Sequence, residues 1–323
     1  MVKGIRVHEV GGPQVMKYEE FELPKPGPGE VRVVHEAIGV NYIDTYFRTG
    51  LYPAPPPFTI GNEAAGVVSE VGKKVTGFKV GDRVAYVAGM RAYADEANVP
   101  AEVVVKLPKA ISAETAAGMM LKGMTAEYLV RRTYKVREGD TVLVHAAAGG
   151  VGQILCQWAK ALGATVIGTV GTEDKAQLAR RLGCDHVIFY RTEDVAARVK
   201  AITEGKGVPV AYDSVGKDTF EGTLASLARR GLFVSFGNAS GPVPAFEPLR
   251  LSRAGSLFFT RPTLFDYVAT PEELDDSAGA LFAMIGSGKL RIEIGQRFRL
   301  GEARKAHEAL EGRQTIGASV LIP

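Results

Sequence analysis

The chain has 323 residues, 46% of them hydrophobic, which is more than one core usually absorbs, so we expect two domains of roughly 100 to 200 residues each. The net charge of +3 is too small to indicate, by itself, a nucleic-acid or membrane partner. The N-terminus is charged where a signal peptide needs an apolar run, and no stretch of about 18 apolar residues occurs, so we expect a cytoplasmic protein.

Short apolar runs separated by glycine and proline turns fill the sequence from Val2 to about Val105. Examples are residues 31–37, 65–71 and 83–87. This spacing is typical of a compact, mostly antiparallel β domain. The turn cluster at 24–30 and the proline-rich loop at 53–57 have strand-like runs on both sides, so neither reads as a linker between domains.

After about Lys122, strands of roughly five residues alternate with helices of ten or more, which indicates a parallel sheet with crossover helices. Three helices are predicted early in this part, at 150–162, 173–182 and 193–203, each followed by a glycine. Six apolar, often β-branched runs predict the strands of a doubly wound α/β fold. They are 141–146, 165–169, 186–189, 208–213, 232–236 and 256–260.

The last sixty or so residues are too few for another domain and end in the apolar run 318–322. We expect them to return and complete the first domain. The predicted division is therefore a catalytic β domain at 1–121, a dinucleotide-binding domain at 122–262 and a returning segment at 263–323.

A glycine-rich turn follows the first strand of the second half, with the sequence Ala146-Ala147-Ala148-Gly149-Gly150-Val151-Gly152. Ala147, Gly149 and Gly152 fall on the key positions of the dinucleotide fingerprint G-x-G-x-x-G. Small residues there permit a tight turn, close approach of a pyrophosphate and close packing of helix on strand. A tight turn without a ligand is the alternative, but the strand before it, the helix after it and five further strands favour the cofactor.

The residues at the end of the second strand indicate whether the cofactor is NADPH or NADH. Val170 stands where NAD-binding proteins usually place a carboxylate, and Gly171, Thr172 and Lys175 follow it with N–H, hydroxyl and ammonium groups. Two charged hydrogen bonds made only to a 2′-phosphate would favour NADPH by about 3 to 6 kcal/mol, which is roughly two to four orders of magnitude in affinity. The alternative is that Lys175 is a solvated charge partly neutralised by neighbouring acids.

These motifs together closely resemble those of one family. They are the run from Asn41 to Pro53, the glycine turn, the Gly-Thr-x-x-Lys segment and Asp213-Ser214-Val215-Gly216. The chain resembles the zinc-free NADPH:quinone oxidoreductases, related to zeta-crystallin, of the medium-chain dehydrogenase/reductase superfamily. The likeness covers essentially the whole sequence.

The resemblance implies a GroES-like catalytic domain, an inserted Rossmann domain and a reaction in the cleft between them. It implies catalytic roles for Asn41, Tyr46 and Tyr52. The two tyrosines have the alternative of packing on the proline-rich loop, and Arg261 and Arg313 that of being surface charges. The implied NADPH-binding residues are Asn41, Asp44, Tyr46, Thr125, Gly149, Gly150, Val151, Gly152, Gly171, Thr172, Lys175, Tyr190, Ser214, Phe236, Gly237, Asn238, Thr260, Arg261 and Arg313.

No metal site is expected. Zinc-dependent relatives have a cysteine near position 41 and a His-Glu pair near position 62, whereas this chain has Asn41 and Asn62-Glu63. One carboxylate cannot hold a catalytic zinc, which needs three protein ligands. We expect Glu63 to bond backbone N–H groups or an arginine instead, and we expect the two cysteines, Cys156 and Cys184, to be buried and inert.

The predicted function is metal-free hydride transfer from NADPH to a quinone. Reduction of the double bond of an enone or alkenal is an open alternative, because it uses the same cofactor geometry. A third is a nucleotide-regulated RNA-binding or structural protein, although nucleic acid is not expected as the main partner. The resemblance also implies a homodimer, formed by edge-to-edge pairing of the strand at 256–260.

Overall fold

The first part of the chain is built mainly of strands, as the short apolar runs predicted. In the longest strand, buried residues alternate with more exposed ones along its first half, so that one face lies on the core. The strands are β1 (Val2–Val7), β2 (Met16–Phe21), β3 (Glu30–Val40), β4 (Phe58–Thr59), β5 (Glu63–Val71), β6 (Arg83–Val87), β7 (Glu96–Pro100) and β8 (Val104–Lys106); the helices are α1 (Tyr42–Thr49) and α2 (Ala113–Tyr128), and a π-helical turn follows at Leu129–Thr133.

Strands and helices then alternate. The strands are β9 (Thr141–Val144), β10 (Thr165–Val170), β11 (His186–Phe189), β12 (Val208–Asp213), β13 (Leu227–Ser235) and β14 (Phe258–Thr260). The helices are α3 (Gly150–Ala161), α4 (Glu173–Arg181), α5 (Val195–Ile202), α6 (Phe220–Ser226), α7 (Leu249–Arg253) and α8 (Leu264–Tyr267). The chain ends with α9 (Pro271–Gly286), β15 (Ile294–Arg299), α10 (Ala303–Glu311) and β16 (Ala318–Ile322). No helix is both long and apolar enough to cross a bilayer.

The computed structural model describes residues 1–323, in two units. The first consists of Met1–Lys122, Val268–Phe282 and Ile292–Pro323, and the second of Gly123–Tyr267 and Ala283–Arg291. Helix α9 thus belongs to the first unit up to Phe282 and to the second from Ala283. The domain boundaries inferred from the sequence stay a prediction.

Two sheets form the first unit. One has the order β2-β1-β4, and the other has the order β15-β16-β3-β5-β6-β8, with β7 also paired to β3. All pairs are antiparallel except β15 with β16. The last strand lies antiparallel to the end of β3, with Val320 opposite Gly39, so the C-terminal run joins the larger sheet of the first unit. Leu300, Ala303, Ala306 and Leu321 join its core.

One parallel sheet of six strands forms the centre of the second unit, in the order β11-β10-β9-β12-β13-β14. Counted from β9, this is the order 3-2-1-4-5-6 of a Rossmann sheet, so the strand order reverses between β9 and β12. Ligands of such sheets bind at the carboxyl ends of the strands near that point. The predicted glycines after α3, α4 and α5 are Gly163, Gly183 and Gly205, all with positive φ, and they end the helices.

Candidate active site

Asn41 sits at the point where β3 ends and α1 begins, and it is 5% exposed. Its extended backbone makes it the N-cap of α1, and its N–H donates to Asp44 Oδ2 at 2.8 Å. A carboxylate three residues into a helix is well placed to bind the otherwise unpaired N–H of the cap residue. The position of Asn41 is therefore set by Asp44.

Glu63, at the start of β5, is fully buried and accepts three hydrogen bonds. Asn41 Nδ2 and Lys122 Nζ both donate to its Oε1 at 2.8 Å, and the backbone N–H of Leu121 donates to Oε2 at 2.6 Å. The expected backbone partner is therefore confirmed. Of the two expected alternatives the arginine is not used, because the side-chain cation is Lys122, which helix α2 carries to Glu63 from 59 residues away.

A buried network holds Asp44 from its other side. Asn62 Nδ2 donates to Asp44 Oδ1 at 2.6 Å, and Tyr93 OH donates to Oδ2 at 2.9 Å. Tyr93 OH also lies 3.1 Å from His307 Nε2, and Arg48 donates to His307 Nδ1 at 3.0 Å. Residues separated by up to 263 positions thus form one hydrogen-bonded chain, which ends at Glu311 through a bidentate pair with Arg48.

Burial dominates the ionisation of this network. It raises the pKa of Asp44 to about 6, although the hydrogen bonds from Asn62, Asn41 and Tyr93 act in the opposite direction. Burial lowers the pKa of His307 to about 3, with a smaller contribution from the positive charge of Arg48. The imidazole is therefore neutral near pH 7, which fits a ring nitrogen that accepts from Arg48.

Tyr46 and Tyr52 lie together beside α1. Their ring centroids are 5.2 Å apart in an edge-to-face arrangement, and the Tyr52 N–H donates to the Tyr46 carbonyl oxygen at 3.0 Å. Phe47 packs on Tyr52 with centroids 5.7 Å apart. Tyr46 is 8% exposed and Tyr52 half-buried, so the rings form one aromatic wall a short distance along the chain from Asn41.

In the second unit, the glycine-rich turn takes the predicted form. Gly149 is the N-cap of α3, with extended backbone, and makes no side-chain hydrogen bond to the first N–H groups of the helix. A Cβ on Gly152 would lie 2.2 Å from the carbonyl oxygen of Ala146 and 2.9 Å from Cα of Ala147. The helix therefore packs on the turn at a distance that only glycine permits.

The end of β10 carries small, hydroxyl and cationic residues and no carboxylate at its last position. Val170 is the last residue of the strand, and Thr172 caps α4, with its Oγ1 accepting from Lys175 N at 3.5 Å. Tyr190 OH is so close to Gly171 that a Cβ there would lie 2.8 Å away. Of the nearby acids, Glu173 is paired with Arg180 at 2.9 Å.

Asp213 organises the ends of the later strands. Its Oδ1 accepts from the N–H groups of Val215 and Gly216, and its Oδ2 from the hydroxyls of Thr219 and Thr223. These bonds fix the Ser214–Gly216 turn.

The turn after β13 lies against the turn after β12. Phe236 N donates to the Asp213 carbonyl, and a Cβ on Gly237 would lie 2.5 Å from the Ser214 carbonyl oxygen. The structure thus brings together Ser214, Phe236, Gly237 and Asn238.

The remaining predicted residues occupy separate places. Thr125 is buried on α2, Thr260 ends β14, and Arg261 is exposed and donates to the Pro262 carbonyl at 3.1 Å. Arg313, in the first unit, is exposed and has a φ of 58° just after α10. The role of these four toward the cofactor stays a prediction.

Side chains that could bind a metal ion are not clustered in this structure. No group of three or more His, Cys, Asp and Glu side chains is placed to hold an ion. Glu63 is already bonded to an ammonium group. Cys156 and Cys184 are buried as predicted, with sulfur atoms 3.4 Å apart.

Comparisons with known proteins agree along the whole chain. The family described as alcohol dehydrogenase GroES-like domain matches residues 27–138, and zinc-binding dehydrogenase matches 150–276. Quinone oxidoreductase of Pseudomonas aeruginosa is 54% identical over 100% of both sequences. Escherichia coli quinone oxidoreductase, solved with NADPH, has a TM-score of 0.96 and 49% identity over 99% of this chain and 100% of that one. The chain belongs to the quinone oxidoreductase family.

This quinone oxidoreductase family member also resembles a reductase with a different named substrate. The 2-haloacrylate reductase of a Burkholderia species is 48% identical over 100% of this chain and 99% of that protein. The predicted resemblance and fold class are confirmed: a GroES-like, mostly antiparallel β domain and a six-stranded parallel Rossmann sheet.

Reading the sequence missed two cations. Lys122 stands in an otherwise apolar stretch of α2, and a lysine in such a stretch is a signal for a paired buried charge. Arg191 directly follows Tyr190, and its guanidinium lies 6.0 Å from the Tyr190 ring centroid. That places a second positive charge beside the end of β10.

Proposed function

We propose that the protein transfers a hydride from NADPH to a quinone. The observation that carries the proposal is the end of β10, where glycine, threonine and cationic side chains replace the carboxylate that binds the ribose of NAD. Support comes from the quinone oxidoreductases named above, one of which was solved with NADPH bound.

The residues of the second unit fit this cofactor. The uncapped start of α3 provides N–H groups for the pyrophosphate, and Gly152 permits the close turn that brings them to it. Gly171, Thr172, Lys175 and Tyr190, with Arg191, would hold the 2′-phosphate. We propose that eight further residues line the remainder of the cofactor: Thr125, Ser214, Phe236, Gly237, Asn238, Thr260, Arg261 and Arg313.

The first unit would hold the acceptor. When bound, NADPH supplies the hydride from C4 of its nicotinamide. Asn41, fixed by Asp44 and Glu63, and the wall of Tyr46 and Tyr52 would orient the quinone and exclude water. That the two groups of residues meet in one cleft stays a prediction of the sequence analysis.

A metal has no part in this proposal. Zinc is bound by thiolate, imidazole and carboxylate ligands, and catalytic sites use three of them. The side chains around Glu63 are Asn41 and Lys122, and neither is such a ligand. The donor set therefore does not fit zinc.

The test is NADPH oxidation followed by absorbance, with a metal chelator present and NADH in parallel. Benzoquinone, phenanthrenequinone and a simple enone are the acceptors. We expect turnover of the quinones and a preference for NADPH of about a hundredfold or more from the phosphate contacts. Turnover of NADH at an equal rate would contradict the cofactor assignment, and no turnover of quinones would contradict the function.

A second candidate is reduction of a conjugated carbon-carbon double bond. The similarity to 2-haloacrylate reductase favours it, because the acceptor of that enzyme is an activated alkene. Turnover of the enone or of 2-chloroacrylate alone, without turnover of quinones, would select it.

A homodimer in the cytoplasm completes the proposal. It is supported by Phe258, which is 58% exposed on β14, the last strand of the parallel sheet. An exposed aromatic residue on an unpaired strand edge is a typical site of pairing with a second chain.

A further inference from the structure

Lys122 is the one cation bonded to the carboxylate beside Asn41. Its side chain is 7% exposed, and its ammonium group donates to Glu63 Oε1 at 2.8 Å. Lysine is almost never this deeply buried unless it is paired, and keeping it charged there requires the carboxylate. The pair therefore places an ammonium group, balanced by the Glu63 carboxylate, at a buried position.

That charge lies next to the Asn41 side chain. Asn41 Nδ2 and Lys122 Nζ donate to the same oxygen at 2.8 Å each, so the two nitrogens are at most about 5.6 Å apart. Any molecule that contacts the Asn41 amide is consequently close to the ammonium group.

The carboxylate between them has little freedom to move. Leu121 N holds its other oxygen at 2.6 Å, and the chain packs so closely at Gly39 that a Cβ there would lie 2.2 Å from Glu63 Oε1. The ammonium has three N–H donors, and Glu63 takes one of them. The site is thus a fixed cation with hydrogen-bonding capacity beyond its structural partner.

We propose that Lys122 is a catalytic residue that binds the carbonyl oxygen of the acceptor. This inference rests on the proposed function, since it requires a quinone beside Asn41. Hydride transfer would break the C4–H bond of NADPH, oxidising it to NADP⁺, and would form a C–H or O–H bond on the acceptor, which is reduced and left as an oxyanion. Lys122 stabilises that negative charge and gives it a proton, so its N–H bond breaks as the O–H bond forms, and water returns the proton to the amine.

A purely structural role makes a different prediction. If Lys122 serves only to neutralise Glu63, then removing both charges together restores a working site. If the ammonium binds the acceptor oxygen, removing both charges leaves the oxyanion without its donor, and the reaction stays slow. The double variant therefore separates the two roles.

The experiment compares Lys122→Met, the double variant Lys122→Met with Glu63→Gln, and Lys122→Arg. Lys79→Met is the control, because Lys79 is 80% exposed and paired on the surface with Asp82. We expect kcat with benzoquinone to fall about a hundredfold in the first two, the size of a lost oxyanion donor, and to be partly retained with arginine. NADPH affinity, measured by fluorescence titration, stays within about threefold of wild type.

A second readout needs no turnover. The probe para-nitrophenol, bound with NADP⁺, imitates the product oxyanion, and its visible absorbance reports ionisation. We expect the unmodified protein and Lys79→Met to favour the phenolate, and both Lys122→Met variants to bind it about tenfold or more weakly.

Three outcomes overturn the role of Lys122: unchanged kcat in Lys122→Met, restored kcat in the double variant, or unchanged phenolate binding. If Lys122→Met does not fold, the double variant, which leaves no buried unpaired charge, decides in its place. Absence of quinone turnover by the unmodified protein counts instead against the proposed function, while loss of phenolate binding still reports the cation.

Discussion

At the scale of single residues, Asp44 is the group whose ionisation can be tested most directly. Its pKa is about 6 in the fold, against 3.8 for an unperturbed side chain, mainly because it is fully buried. Between these pH values the folded state holds the proton more tightly than the unfolded chain does. The free energy of unfolding therefore falls as the pH rises through this window.

We predict that ionisation of Asp44 lowers the free energy of unfolding by about 2 to 3 kcal/mol as the pH rises from 4 to 7. Asp44→Asn removes the titration, although it also weakens the three hydrogen bonds that the carboxylate accepts. Urea unfolding at several pH values should show the difference between the two proteins shifting in favour of the Asp44→Asn variant as pH rises. Asp82→Asn is the control, because a lysine partner lowers the pKa of Asp82 to about 2, below the range tested. A difference independent of pH would contradict the assignment.

Lys175 is the residue by which cofactor preference can be tested. Its proposed contact is with the 2′-phosphate alone, so Lys175→Met should weaken NADPH binding about ten- to a hundredfold and leave NADH binding unchanged. Fluorescence titration of both cofactors measures this. Lys200→Met, on the exposed side of α5, is the matched control. Equal loss of affinity for both cofactors would mean that Lys175 contacts another part of the cofactor or only stabilises α4.

At the scale of elements, the junction of β9 and α3 carries the next prediction. Gly152→Ala puts a Cβ 2.2 Å from a backbone carbonyl, so the start of α3 has to move away from the turn. We expect NADPH affinity to fall at least about tenfold, because the N–H groups no longer converge on the pyrophosphate.

Gly222→Ala in α6 is the control for the glycine substitution, since its Cβ would meet nothing closer than 3.9 Å. Isothermal titration with NADPH compares the variants, and thermal unfolding shows whether each is folded. Full affinity in folded Gly152→Ala would mean that the start of α3 is not the pyrophosphate site.

The elements themselves were largely readable from the sequence, because each depends on local pattern. The run 208–213 matches β12 at both ends, and α5 starts at Val195 because Asp194 caps it. The run 232–236 missed the first half of β13, which starts at Leu227. Exposed arginines interrupt the apolar pattern there, and Arg230 has a φ of 63°.

The hydrogen-bond partners at the candidate site were not readable in the same way. Glu63 could be singled out as a lone carboxylate, but its partner Lys122 is 59 residues away, and Arg48 meets Glu311 across 263 residues. Such pairs are fixed by how the strands and helices pack, and a single sequence carries no signal for that register. The only sequence signal for such a pair was a charged residue within an otherwise apolar run.

At the scale of the whole molecule, the free edge of the parallel sheet is where we propose that two copies associate. Strand β14 is bonded to β13 on one side only, so its other edge offers unpaired N–H and C=O groups. Phe258 adds an apolar side chain that is 58% exposed on this edge. Pairing with the same strand of a second chain would satisfy the backbone groups and cover the ring together.

We therefore predict a dimer at micromolar concentration that Phe258→Lys converts to a monomer, because two opposed lysines repel across a symmetric strand pair. Analytical ultracentrifugation measures the mass. Phe265→Lys is the control, since Phe265 is also exposed but lies on α8. A monomeric unmodified protein would contradict the dimer, and a dimer that survives in Phe258→Lys would move the interface away from β14. Because the candidate site residues all lie outside β14 except Thr260, the monomer should keep its NADPH affinity within about threefold, which separates assembly from cofactor binding.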